Sequence, residues 1–185
     1  MKNKNKKPII GILGGMGPQA SACLVNILVE MSAKEFGAKN CDEFPEIILD
    51  SIPHPDFISS KKNSQIAVKM LKERIKKMEK MGVGVFAIAC NTAHIRLNHL
   101  KNSSKIEFVS IIDEIVREVI ISGIKKVGLL VSPTTLKSGL FQKAFKKDLS
   151  AIRQENVTII NPSKAQMRRL EVVYQACYCR RKEEI

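Results

Sequence analysis

Pro8-Ile9-Ile10-Gly11-Ile12-Leu13-Gly14-Gly15-Met16-Gly17-Pro18, near the amino end, reads as a β-strand running into a glycine turn and then a helix. The β-branched run over Pro8 to Leu13 suits a strand, and Pro18 suits the first position of a helix that continues to about Lys34. Outward from this unit the pattern repeats. Glu46 to Ser51 is a second strand, followed by the proline-rich segment Ile52-Pro53-His54-Pro55-Asp56-Phe57. Ala67, Met70, Leu71, Ile75, Met78 and Met81 then recur at helical spacing, with Gly82 as a stop, and this methionine stripe reads as core. Val83 to Ala89 is almost continuously apolar, as a strand covered on both faces should be. Cys90 ends it, and Asn91-Thr92 suit the cap of a following helix. Strands at Glu107–Ile111, Lys126–Ser132 and Val157–Asn161 alternate with helices at Asp113–Ser122, Thr135–Ser150 and from Ser163. The fold class is α/β, with parallel sheets and helices on both faces.

One echo organises the chain. Val127-Gly128-Leu129-Leu130 with Ser132-Pro133-Thr134-Thr135 and a helix repeats the pattern of Ile10-Gly11-Ile12-Leu13 with its glycine turn and Pro18. It suggests one βα lobe followed by the start of a second copy: a basic tail over 1–7, a first lobe over 8–112 and a partial second lobe over 113–185. At that offset the counterpart of Cys90 falls at about position 207, so an incomplete second lobe is expected.

Lys and Arg number 31 against 18 Asp and Glu, a net charge of +13, which raises the question of a nucleic-acid partner. The cations sit instead in a short tail (Lys2, Lys4, Lys6, Lys7), at the end (Arg180, Arg181, Lys182) and along one amphipathic helix. No Trp and only 2 Tyr are present, and no basic-aromatic strand motif could stack bases. The reading is no nucleic acid, with a positive field that draws small anions. Apolar runs are too short to cross a bilayer and no apolar signal segment follows the tail, so no membrane association and a cytoplasmic location are expected. The 5 cysteines (Cys23, Cys41, Cys90, Cys177, Cys179) are odd in number and irregularly spaced, which fits neither a disulfide framework nor a metal site. Cys23 reads as helix core, and His54 and His99 as isolated packing or surface residues.

In parallel α/β sheets ligands gather at the carboxyl ends of strands. Three turns lie there: Gly14 to Pro18, Ile52 to Phe57, and Cys90-Asn91-Thr92-Ala93-His94. A thiol at a strand end and helix start meets backbone amides that favour thiolate, making Cys90 a candidate base or nucleophile, although free Cys is as often a small core residue. Asn91 and Thr92 suit either a substrate carboxylate or simple capping. His94 could pair with Cys90 only if its ring folds back. Gly15-x-Gly17-x-x-Ala20 with Asp50 loosely matches a dinucleotide fingerprint, but Pro18 intrudes and Asp50 lies too far along.

Gly11-Ile12-Leu13-Gly14-Gly15-Met16-Gly17-Pro18, Ser51-Ile52-Pro53-His54-Pro55-Asp56-Phe57, Ala89-Cys90-Asn91-Thr92-Ala93-His94 and Gly128-Leu129-Leu130-Val131-Ser132-Pro133-Thr134-Thr135 together resemble the aspartate/glutamate racemase family, and its aspartate racemases most. The resemblance runs from about Pro8 to Asn161 and fades after about Leu170. It implies two α/β lobes enclosing an active site, no cofactor (neither pyridoxal phosphate nor metal), a small acidic amino acid as substrate, and often a homodimer. By that likeness Cys90 is the catalytic cysteine of the first lobe, Met16, Asn91 and Thr92 surround the substrate, and Thr134 contributes from the second lobe.

Inverting Cα needs a thiolate on one face and a thiol on the other, since a proton leaves one side and arrives on the opposite one. The family's second cysteine sits in a Gly-Cys-Thr-Glu type motif that this sequence lacks, and Cys177 and Cys179, in a basic helical context, are poor substitutes. A truncated or frame-shifted reading and impaired racemisation are the expectations. The alternatives are an inactive dicarboxylate-binding or interaction protein, then a nucleotide-binding module.

Overall fold

A computed structural model describes residues 7–55, 60–152 and 157–179. The basic tail as far as Lys6, Asp56 and Phe57 of the proline-rich segment, and Arg180, Arg181 and Lys182 lie outside the described residues. The chain divides into two compact units, Met1–Ile111 and Ile112–Ile185.

In the first unit β1 (Ile9–Gly14), β2 (Ile47–Ser51), β3 (Val83–Ile88) and β4 (Glu107–Val109) form one parallel sheet in the order β2-β1-β3-β4. α1 (Pro18–Lys34) leads from β1 to β2, and α2 (Lys61–Lys80) returns from β2 past β1 to β3. Right-handed crossovers in opposite directions put the two helices on opposite faces. Alternate residues of β1 accordingly face different neighbours. A Cβ on Gly11 would stand 2.7 Å from Val83 Cγ1 and 3.1 Å from Met78 Cε of α2, whereas one on Gly14 would stand 2.6 Å from Ser21 Oγ of α1.

The core follows from this alternation. Leu13, Ala67, Leu71, Ile75, Met78, Phe86, Ile88 and Phe108 are buried together, and the rings of Phe86 and Phe108 stack at 4.9 Å. Ala67, Leu71, Ile75 and Met78 recur at i+4, i+8 and i+11 along α2, the stripe expected of a helix laid on a sheet. Met81 departs from the expected stripe: it follows the last helical residue and is 58% exposed. Cys23 likewise is exposed rather than core. α1 turns Ser21, Leu24, Val25, Leu28 and Ser32 inward, which leaves Cys23, Ile27 and Met31 outside.

The second unit contains α4 (Ile111–Ile121) after its first residue, β5 (Lys126–Gly128), α5 (Pro133–Ser138), α6 (Leu140–Ile152), β6 (Thr158–Ile160) and α7 (Lys164–Cys179). β5 and β6 form a parallel sheet of two strands, smaller than the first. Ile112, Val116, Val119, Leu129, Val131, Phe141 and Phe145 make its core. The single helix expected over Thr135–Ser150 is two helices. Gly139 adopts the left-handed conformation (φ 64°) and caps α5, donating its amide to Leu136 O, before α6 begins. No described helix is long and apolar enough to cross a membrane.

Candidate active site

Leu13 of β1 lies opposite Asp50 of β2 on one side and Ile88 of β3 on the other, so the segments following all three strands leave the sheet side by side at its carboxyl edge. Gly15 takes φ +87°, and a Cβ there would stand 2.2 Å from the carbonyl oxygen of Ile52. The turn therefore lies directly on the Ile52 backbone, whose amide donates to Gly14 O at 3.3 Å. Only glycine satisfies both the left-handed backbone and the absent side chain. Gly17, at φ 116°, opens α1 with no side-chain cap on its first turn. The half-buried Met16 between these glycines packs on the first core.

Cys90 is half-buried and packs on the same core. Burial pushes its thiol above the ordinary cysteine range, against the backbone amides of Ala93 and Thr92, which hydrogen-bond the sulfur and pull the other way. The expectation that the position favours thiolate is thereby corrected. The amides are aimed as a helix-start cysteine requires, but loss of water around the sulfur outweighs them.

Asn91 does not cap a helix. Its backbone is helical (φ −60°, ψ −44°) and its side chain makes no capping bond. A 3-10 turn over Thr92–Arg96 precedes the short α3 (Leu97–Lys101), where a full helix was expected. Thr92 is buried and Asn91 half-buried. His94 does fold back, though towards backbone rather than sulfur: its Nδ1 lies 2.8 Å from Cys90 O, and the Ile111 amide donates to Nε2 at 3.2 Å. This arrangement was not read from the sequence, where only the four-residue spacing from Cys90 hinted at it.

Thr134 belongs to the second unit, as the second residue of α5, and is half-buried. Its helix start is capped: Thr135 N donates to Ser132 Oγ at 3.2 Å. A cavity of about 450 Å³ in that unit is lined largely by apolar residues, among them Leu129, Leu130, Ile160 and Leu170, and includes none of the candidate site residues.

Asp50, considered as a ribose acceptor, instead meets Arg74 Nε at 3.7 Å. The His54 ring Nδ1 lies 2.6 Å from Pro55 O, and Cys41 is exposed in the 3-10 turn Cys41–Glu43. Cys177 and Cys179 fall in α7. Among the described residues no three His, Cys, Asp or Glu side chains gather as metal ligands would.

The first unit thus carries a glycine turn and a thiol served by two backbone amides at the carboxyl ends of the adjacent strands β1 and β3. The chain belongs to the Asp/Glu/hydantoin racemase family, whose model matches residues 13–175. The match reaches past Leu170, where the likeness was expected to fade. The broad specificity amino-acid racemase RacX of Bacillus subtilis (strain 168) is 29% identical over 138 residues, which make up 75% of this chain. The aligned region spans 60% of RacX. Among solved structures, an aspartate racemase homologue from Pyrococcus horikoshii OT3 superposes with a TM-score of 0.73 at 22% identity, over 95% of this chain and 74% of that one. Picrophilus torridus aspartate racemase gives 0.69 at 24% identity, over 96% and 78%. These similarities establish the α/β fold with parallel sheets.

Proposed function

We propose that the protein is an amino-acid racemase of the cofactor-independent type, acting on a small acidic amino acid such as aspartate, with Cys90 exchanging the Cα proton. The observation that carries this reading is the sulfur of Cys90 at the carboxyl edge of β3, hydrogen-bonded by the Thr92 and Ala93 amides. In one direction the Cys90 thiolate removes the Cα proton and becomes a thiol, leaving the electron pair delocalised into the substrate carboxylate. Inversion needs a second acid on the opposite face to return a proton, and with no second cysteine assigned to that role the site supports Cα proton exchange with impaired racemisation. In the reverse direction the Cys90 thiol is the donor, and the state favoured by burial suits that role. Asn91, Thr92 and the uncapped first turn of α1 would hold carboxylate oxygens, and Met16 would wall the pocket. RacX and the Picrophilus torridus protein are named as racemases, which supports the reaction class.

Burial of the Cys90 sulfur, which disfavours its thiolate, also favours a second reading, a dicarboxylate-binding protein without turnover. Peptide-resolved alkylation separates both readings from neither. Saturating aspartate should slow iodoacetamide labelling of Cys90 at least about fivefold, as expected when a ligand covers a reactive thiol. An unchanged rate with aspartate, glutamate and neutral amino acids alike would remove Cys90 from any substrate site. Polarimetry on the same samples then distinguishes turnover from binding.

A further inference from the structure

His94 is 4% exposed, and the proposed proton transfer makes no use of it. An amide nitrogen can only donate, so Ile111 N–H, 3.2 Å from Nε2, requires that ring nitrogen to be the acceptor. The proton of a neutral imidazole then sits on Nδ1 and is donated to the Cys90 carbonyl at 2.8 Å. Backbone geometry explains why a side chain is needed there. In an α-helix the His94 amide would bond Cys90 O four residues back, but in this 3-10 turn it donates to Asn91 O at 3.1 Å. The ring takes the place of that bond and closes the loop over the residues between.

Within this loop lie Thr92 and Ala93, whose amides reach the sulfur. We propose that His94 is a positioning residue: held as the Nδ1–H tautomer between the Cys90 carbonyl and the Ile111 amide, it fixes the turn that aims the Thr92 and Ala93 amides at the Cys90 sulfur. The assignment rests on Cys90 being the working thiol, but its test needs no turnover. Protonation or the other tautomer would set N–H against N–H at Ile111, so the geometry admits one ring state.

The first experiment is a long-range proton–nitrogen correlation spectrum of the full chain near neutral pH. It should show one histidine ring protonated at Nδ1 and bare at Nε2, assigned by its loss in His94→Asn. A His94 ring protonated at Nε2, or at both nitrogens, overturns the proposal. The second is the alkylation rate of Cys90, resolved by peptide. In His94→Ala the amides lose their aim and the thiolate fraction falls, so labelling at about pH 8 should slow roughly tenfold, the consequence of about one unit of thiol pKa. His94→Asn, whose amide can still donate to Cys90 O, should stay within about threefold of wild type.

A merely structural role gives the opposite sign: a loosened loop exposes the buried sulfur and speeds labelling. Faster or unchanged labelling of folded His94→Ala overturns the proposal. Should that variant not fold, the spectrum and the Asn variant decide, with a tenfold loss in Asn counting against it. Failure of aspartate to protect Cys90, with the tautomer and rates as expected, would sink the proposed function and leave the positioning role standing.

Discussion

Gly11 and Gly128 hold the same place in two strand-turn-helix units, yet their surroundings differ completely. A Cβ on Gly11 would stand 2.7 Å from Val83 Cγ1 and 3.0 Å from Phe86 Cδ1, while one on Gly128 would meet no atom within 4 Å. β1 is a central strand with β2 and β3 on either side, whereas β5 pairs, among the described residues, with β6 alone. The turns that follow diverge as well. Ser132 caps the first turn of α5, but Gly17 leaves that of α1 without a side-chain cap. Leu130 and Ile160, at the carboxyl edge of the second sheet, are 78% and 53% exposed. A shared local pattern thus yields a packed edge in one unit and an open apolar one in the other. The difference lies in the strands and helices placed around the pattern rather than in the pattern itself.

The sharpest way to break this comparison is at the glycine turn. Gly15→Ala places a methyl group on the Ile52 backbone and forces a left-handed conformation on alanine, so it should destabilise by about 3 kcal/mol or more in urea denaturation. A loss under about 1 kcal/mol would mean that the turn does not rest on Ile52. Next, Gly11→Ala should cost about 1–3 kcal/mol, because the new methyl meets side chains that can shift only partly. Gly128→Ala should lie within about 0.5 kcal/mol of wild type. Equal effects at the two positions would erase the contrast between the units. Ser132→Ala should cost about 1 kcal/mol through the lost cap, and Gly17, which offers no such side chain, has no counterpart to this effect.

The smallest effect is on pH. Because burial raises the Cys90 pKa, the folded chain holds that proton more tightly than the unfolded one. The resulting stability is fully present below the ordinary cysteine range, about pH 8.5, and is lost as pH rises through the folded value. Melting temperatures of wild type and Cys90→Ser should therefore draw together as pH rises from about 8 to 10. A gap that widens would place the folded pKa below the unfolded one.

Much of the first unit was legible because its patterns are long and its punctuation strong. Pro18 marks the start of α1, Gly82 the end of α2, and the apolar run from Val83 the strand β3. Where the reading failed, two local signals competed. Cys23 sits in an α1 that is apolar on more than one side, so periodicity alone could not choose the buried face, and the inward stripe includes Ser21 and Ser32. Gly139 inside an apparent long helix marked a break that hydrophobic spacing conceals. At the site, the spacing of Cys90, Asn91 and Thr92 was legible as a strand-edge constellation, but the ionisation of Cys90 was not. That depends on burial by residues distant in sequence. The role of His94 was hidden for a similar reason, since one of its partners, Ile111, lies 17 positions on.

Whether the sulfur beside the glycine turn works on Cα is tested most directly by deuterium incorporation into L-aspartate in deuterium oxide, followed by proton NMR. The expected result is loss of the Cα proton signal with wild type and with Cys177→Ala/Cys179→Ala, and no loss with Cys90→Ala. Exchange that persists in Cys90→Ala, or that disappears only with the α7 cysteines, would contradict the assignment.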